Sequence, residues 1–273
     1  QTMFHLQREI GGWTSAKALF SQEVEPQYTH NYGHIACATD GTLYAACHFY
    51  NIGGSDNQPV TGDRSKMRSY GAAVLKSTDL GATWCDLHGD PVDLPTTYNH
   101  RIAIPPFDRN IYINTIALDT LNTLWALTLN PGLEDNAVWL SRWVGQDWQT
   151  IQLERYMPES RTPVESMMTI DTHNRLHIVL TTVDTAAVGT DSHWGHPSSE
   201  VLYLRSNDGG QTFDATEVSP ADPETANWLP SISRSSPHHP VDVPTIMYTH
   251  GDVGTGLRPD IRTEVRCVQL VEA

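Results

Sequence analysis

Three histidines and two tyrosines crowd into two short segments, Thr29-His30-Asn31-Tyr32-Gly33-His34 and Ala46-Cys47-His48-Phe49-Tyr50-Asn51. Imidazole titrates near neutral pH and can take or give a proton, and a phenol can share that work. Downstream stand Arg64, Lys66 and Arg68 in a polar stretch, then Tyr98, His100 and Arg101. Of 17 basic residues three are lysine (Lys17, Lys66, Lys76), which leaves 14 arginines. Arginine is the side chain suited to two-pronged capture of a carboxylate or sulfate. The chemistry on offer is proton transfer beside a held anion. The net charge of −15 argues against nucleic acid or an anionic membrane surface as the main partner, but not against an anionic ligand at a local arginine cluster.

These residues need a frame, and the chain repeats itself. Ile35-Ala36-Cys37-Ala38-Thr39-Asp40-Gly41-Thr42-Leu43-Tyr44-Ala45 aligns without gaps to residues 116–126 and again to residues 168–178. A weaker fourth copy runs over 229–233 and 245–250. Asp40-Gly41 and the asparagines at 122 and 174 are turn formers between short apolar runs, so each copy reads as a hairpin. A tight Asp40-Gly41 turn puts position 34 opposite 47, position 33 opposite 48, and Cys37 opposite Tyr44. The His34 and His48 rings then leave neighbouring rungs.

A second pattern follows two of the hairpins. Ser77-Thr78-Asp79-Leu80-Gly81-Ala82-Thr83-Trp84 returns as Ser206-Asn207-Asp208-Gly209-Gly210-Gln211-Thr212-Phe213. The aspartate can accept bonds from the amides of its own turn, and the glycine takes a backbone angle other residues resist. This pattern resembles the Asp-box of BNR-repeat, sialidase-like β-propellers. Residues 141–148 keep its Ser, Gly and Trp without the Asp. Four short strands per unit, with unit starts 81 and 52 positions apart (35, 116, 168), predict an all-β propeller whose insertions lie in loops.

Residues 1–273 read as a single domain. The ends do not balance: Thr2 to Gln7 and Trp13 to Leu19 look like outer strands without an inner hairpin, and Arg262 to Val271 like a third strand without a fourth. Either the two ends close one shared blade, giving about five, or the chain is a piece of a larger propeller. The start at Gln1 without Met or signal peptide fits a processed or excerpted chain. No apolar run approaches membrane-spanning length. The four cysteines show no metal spacing and read as buried free thiols. The tryptophans at 13, 84, 125, 139, 143 and 148 read as core. Asp191, His193 and His196 have metal-ligand chemistry but no further ligand spaced to complete a set, so no cofactor is expected.

In a propeller the box turns and the inner-hairpin turns share one face, and the loops entering each inner strand lie on the other. The box-free face collects His30, Tyr32, His34, His48, Tyr50, Arg64, Arg68, Tyr98, His100, Arg101, Arg155, Arg161, His193, His196, His250 and Arg258. A ring of His, Tyr and Arg at one mouth of a channel suits a polar ligand.

The segments 29–34 and 46–51 resemble the ulvan-lyase type of polysaccharide lyase propeller, which cleaves uronate polysaccharides by β-elimination. The resemblance covers roughly residues 18–84; beyond it the blades are generic. It implies that His30 and His48 match the two active-site histidines, with His34 the alternate for the first, and that Tyr98 matches the family tyrosine. The family arginine that neutralises the uronate has no counterpart at the expected spacing. Tyr32, Arg64, Arg68 and Arg101 are the remaining substrate-binding candidates. An acidic polysaccharide partner, and secretion or display at the cell surface, follow from the same resemblance. Two other classes stay open. A sialidase-type hydrolase needs an arginine triad and an Arg-Ile-Pro signature, which Arg101-Ile102-Ala103-Ile104-Pro105 imitates in the wrong blade. A non-catalytic glycan-binding or viral tail propeller would use the same mouth without turnover.

Overall fold

A computed structural model describes residues 2–21, 29–51, 69–107, 109–130, 137–187, 195–219, 222, 224–236, 239–254 and 260–270, with only the backbone for 29–32 and 50–51. The strands in chain order are β1 (Thr2–His5), β2 (Arg8–Glu9), β3 (Gly12–Trp13), β4 (Lys17–Ser21), β5 (Thr29–Cys37), β6 (Leu43–Asn51), β7 (Ser69–Ser77), β8 (Ala103–Ile104), β9 (Tyr112–Leu118), β10 (Leu124–Asn130), β11 (Ala137–Val144) and β12 (Asp147–Gln152). They continue with β13 (Arg161–Ile170), β14 (Leu176–Asp184), β15 (Glu200–Ser206), β16 (Asp214–Glu217), β17 (Ala226–Ile232), β18 (Thr245–Asp252) and β19 (Arg262–Gln269). Sheets β5–β8, β9–β12, β13–β16 and β17–β19 are antiparallel and form the four blades of a β-propeller. Their first strands β5, β9, β13 and β17 follow one another around the channel.

Burial explains the order of strands. The second strands β10 and β14 are buried along almost their whole length, because a neighbouring blade covers each face. Such strands read as continuous apolar runs rather than alternations. The outermost strands β12 and β16 are largely exposed. The apolar clusters accordingly lie between sheets. One joins Leu127, Leu140 and Trp125 to Met168, Leu176 and Leu202; another joins Ala46, Val74 and Ile104 to Ile113, Ile116 and Leu124.

Three expectations change. The ends do not close a shared blade: β1 pairs with β4 and β19 with β18, and no ladder joins the pairs among the described residues. The β1–β4 pair instead packs Leu19 and Phe20 onto Phe49 and Tyr70 of the first blade. Trp13 lies on the small β2–β3 hairpin and is 68% exposed, so it is not core. All four cysteines are free, yet only Cys47 is buried and Cys267 is exposed.

The hairpin register is also shifted by one. Cys37 faces Leu43, Gly33 faces Cys47, His34 faces Ala46, and Tyr32 faces His48. The reason is the turn. Ala38 N–H bonds Thr42 O at 2.8 Å and Gly41 N–H bonds Ala38 O at 3.1 Å, which closes a three-residue loop with Gly41 at φ +86°. A type I turn followed by a left-handed residue is the usual build of such a loop. The second and third blades repeat it, with Asn122 at φ 63° and Asn174 at φ 60° in the position of Gly41. Those asparagines tie the blades together. The Asn122 amide oxygen accepts from Thr39 N–H and Oγ1–H at 3.1 Å each. The Asn174 amide oxygen accepts from Thr120 N–H at 2.8 Å. The fourth hairpin keeps the ladder by another route: its loop expands to residues 234–244, and Asp242 accepts from Thr172 Oγ1–H.

The two S-x-D-x-G-x-T turns match each other atom for atom. The Asp79 carboxylate accepts from Thr83 N–H at 2.8 Å, Thr83 Oγ1–H at 2.6 Å and Ser77 Oγ–H at 2.8 Å. The Asp208 carboxylate accepts from Thr212 N–H at 3.0 Å, Thr212 Oγ1–H at 2.6 Å and Ser206 Oγ–H at 2.8 Å. Gly81 and Gly210 have φ of 88° and 82°, as their place in the turn requires.

Candidate functional site

Alternation along β5 and β6 places positions 30, 32, 34, 46, 48 and 50 on one face of the first blade. That face packs on the second blade, where Ile113 of β9 serves two histidines at once. Ile113 N–H donates to His48 Nδ1 at 3.3 Å, and Ile113 O lies 3.1 Å from His34 Nε2. His48 is buried, and its ring meets Tyr112 edge-on at 4.9 Å.

The N–H and C=O of one residue therefore assign opposite tautomers to the neutral rings. At His48 the lone pair is on Nδ1 and the hydrogen on Nε2. At His34 the hydrogen is on Nε2 and the lone pair on Nδ1. Burial first, and then the positive charge of Arg234, lower His34 to about 4 against the opposing bond to Ile113. A base that weak is poorly matched to proton abstraction at neutral pH, so His34 acts better as a fixed dipole than as a proton shuttle.

The structure brings together part of the sequence-derived set and separates the rest. His30 pairs with Tyr50 and Tyr32 with His48 in the backbone ladder, on the face that carries His34 and His48. Arg64 and Arg68 lie outside the described residues, as do His193 and Arg258. Tyr98 takes a different place. It is 2% exposed, edge-on to Phe49 at 5.8 Å and to Tyr70 at 6.2 Å, and its ring fills the space where a Cβ on Gly71 would stand. Phe49 and His48 are neighbours on one strand, so Tyr98 and His48 occupy opposite faces of the sheet.

Arg101 is not at the channel. It precedes the outermost strand β8, its Nε bonds Asp86 Oδ2 at 2.6 Å, and its Nη2 bonds Pro91 O at 3.0 Å. Two carboxylates in the Asp86–Asp90 turn draw it outward. Arg155 sits against the box turn rather than the box-free face: it bonds the Tyr156 hydroxyl at 2.8 Å, which in turn bonds Gln211 O at 2.8 Å. Arg161 is at the expected end of β13 but is held by Asp184 at 2.8 Å and by the carbonyls of Thr182 and Ser198. His196 bonds Ser198 Oγ at 2.8 Å within its loop, and His250 of β18 bonds Asn227 Oδ1 at 2.8 Å on its ladder partner in β17.

Two residues stand out that the sequence reading passed over. Glu165 lies on the inner strand β13 and accepts from Thr181 Oγ1–H at 2.8 Å and from the amide of Leu229 at 2.9 Å. Burial raises its carboxyl above the ordinary glutamate range. Its signal was a lone acid within an otherwise uncharged strand interior, Thr162 to Ile170. Arg234 opens the expanded loop of the fourth hairpin and lines the channel. Only the weakness of the fourth repeat hinted at it.

No family model and no curated protein matches the sequence. Solved structures share the fold. An ulvan lyase described as a new polysaccharide lyase family, PL25, superposes with a TM-score of 0.63 at 11% identity over 98% of this chain and 59% of that one. A Dyadobacter fermentans protein of unknown function gives a TM-score of 0.54 at 15% identity over 97% of this chain and 67% of that one. A Penicillium chrysogenum α-L-arabinanase complexed with arabinobiose gives 0.51 at 12% identity over 89% and 62%. The chain thus spans 59% of the length of the ulvan lyase. At such identities the likeness is one of fold.

Proposed function

We propose that this propeller acts on an acidic, uronate-containing polysaccharide and cleaves it by β-elimination at the channel mouth of the first blade. The observation that carries the reading is that the backbone N–H and C=O of Ile113 contact His48 Nδ1 and His34 Nε2 on the face that also carries positions 30, 32 and 50. In the reaction a base takes the proton beside the uronate carboxylate, the bond to the leaving glycosidic oxygen breaks, a carbon–carbon double bond forms, and an acid protonates that oxygen. His30 and His48 carry the acid–base duty, and His34 fixes the geometry of the pair. Tyr32 binds the sugar, and Arg64 and Arg68 neutralise the carboxylate, which such a proton abstraction requires. Tyr98 and Arg101 drop out of the proposal because of where they pack.

The fold likeness supports a carbohydrate-active reading: among the neighbours are an ulvan lyase, solved also with a bound -[GlcA(1-4)Rha3S]- chain, and an arabinanase. The test is incubation with a panel of uronate polysaccharides, followed by ultraviolet absorbance of an unsaturated uronate and by reducing-end release. Absorbance growing with chain cleavage is the expected result. Reducing ends without absorbance would make the protein a hydrolase, with Glu165 the first carboxyl to examine. Binding without either would make it a glycan-binding propeller.

A further inference from the structure

The channel narrows toward the inner-hairpin turns into a cavity of about 250 Å³, walled by the ends of β5, β9 and β13 and by residues 234–236. Among the described residues its lining includes Ile35, Ile116 and Met168, the equivalent residues of three blades, and no carboxylate. Among the described residues the one charged group there is Arg234, and no acid pairs with it. In a chain of net charge −15 that is an uncommon environment. Three hydroxyls accompany the guanidinium. Thr169 Oγ1 accepts from Ser235 N–H at 2.8 Å, Ser235 Oγ from Val241 N–H at 3.1 Å, and Ser236 Oγ from His239 N–H at 3.1 Å. A hydroxyl that accepts from an amide keeps its own hydrogen to donate, and none of the three donates a bond among the described residues.

We infer that this cavity binds a compact oxyanion, sulfate or carboxylate, on Arg234 with Thr169, Ser235 and Ser236 as supporting donors. The guanidinium fork matches either anion in two-pronged fashion, and the hydroxyls complete the shell. The site lies on the turn side of His34, beside Ile35 and Ala36, and does not depend on turnover at the proposed catalytic mouth. The expanded loop is what creates it. In the first three blades a three-residue turn closes the hairpin, whereas in the fourth the connection is longer and its residues Arg234, Ser235 and Ser236 line the cavity. Arg234 also depresses His34, so an anion on it reaches the His34 ring electrostatically.

The experiment is titration by calorimetry with sodium sulfate and, separately, sodium glucuronate, against sodium chloride at equal ionic strength. It uses the wild type, Arg234→Gln and Arg234→Lys. Saturable binding of at least one anion is expected, weakened about tenfold or more in Arg234→Gln and less in Arg234→Lys. Sulfate alone would mark an inorganic anion as the occupant, and glucuronate alone the acid end of a sugar. Equal binding in wild type and Arg234→Gln, or no saturable binding of either anion, overturns the inference. Melting curves establish that the variants are folded. Should Arg234→Gln fail to fold, the wild type decides: NMR titration of His34 should show a higher pKa with the anion than with chloride, and no change would refute the site. The polysaccharide assay is a separate measurement, so either reading can fail alone.

Discussion

The two ends of the central channel are built on different principles. At the turn end, the first three blades carry the same three-residue loop, and each loop's threonine is tied to the next blade through Asn122, Asn174 or Asp242. At the other end repetition stops. Counting from the shared turns, His34 corresponds to Thr115 and Met167, and His48 to Leu129 and Thr181. A feature that every blade needs is one that holds blades together. A histidine pair that only the first of the three aligned blades carries, bound to the backbone of one neighbouring residue, is not part of that repeat, and the asymmetry supports the ligand chemistry proposed at the histidine end.

Breaking the unrepeated end should give the largest effect. His48→Gln keeps an acceptor for the Ile113 amide but loses the titratable ring. Turnover of an acidic polysaccharide should fall by about two to four orders of magnitude, the range of a general acid–base residue. Melting should move little, because burial and the amide bond are retained. A rate within a few-fold of wild type would return His48 to the same structural class as the turn residues.

The turn end should fail through stability instead, and unequally. Asp171 is buried and accepts from the amides of His173 and Arg175 at 2.8 and 2.9 Å, from Arg175 Nε–H, and from His177 Nε2 at 3.1 Å. His177 continues to the Tyr203 hydroxyl at 2.5 Å. The equivalent Asp119 accepts from two amides at 2.9 and 2.8 Å and from Trp125 Nε1–H at 3.2 Å, without a charged partner. Asp171→Asn should cost on the order of 3 kcal/mol, since it strands part of a buried charged network. Asp119→Asn should cost about 1 kcal/mol. Urea unfolding measures both, and equal losses would show that the buried network adds nothing to the shared turn.

This division also explains what could be read in advance. Local signals act within a few residues, so the hairpins, the two matching turns and the β-class were legible from Gly41, Asn122, Asn174, Asp79 and Asp208. The one-residue register slip was not, because Asp40-Gly41 suits both a two-residue and a three-residue loop. Contacts that span blades were hidden altogether. Nothing near position 48 announces Ile113, 65 residues away, as its partner. Arg101 was drawn to the site by its neighbours in sequence, Tyr98 and His100, whereas Asp86 decides its place in space.

A smaller effect tests whether the two S-x-D-x-G-x-T turns belong wholly to the structural class. Asp79 and Asp208 are each held down to about 2 by the threonine hydroxyl first, then by the threonine amide and the serine hydroxyl. An unfolded aspartate titrates near 4. Folded-state pKa values below the unfolded one mean the contribution is complete above about pH 4 and is lost as pH falls toward 2. Stability should therefore decline over that window in the wild type, and the decline should flatten in Asp79→Asn combined with Asp208→Asn. The same slope in both proteins would assign the acid sensitivity to other carboxylates.

Arg101 offers the finest discrimination, because proximity in sequence and proximity in space disagree about it. Sequence places it directly after Asn99-His100 and among the substrate-binding candidates; the fold places it beyond β7, on the outer edge of the first blade, against Asp86 and Asp90. Its guanidinium is half-exposed, so the ion pair is screened by water and contributes little on its own. Arg101→Gln should leave polysaccharide turnover within about twofold of wild type and shift the melting temperature by no more than about 2 °C. Arg64→Gln or Arg68→Gln, by contrast, should raise KM or lower kcat if either holds the carboxylate. A large loss of turnover in Arg101→Gln with melting unchanged would move the substrate to the rim of the first blade, and the contrast between the two channel ends would no longer locate the chemistry.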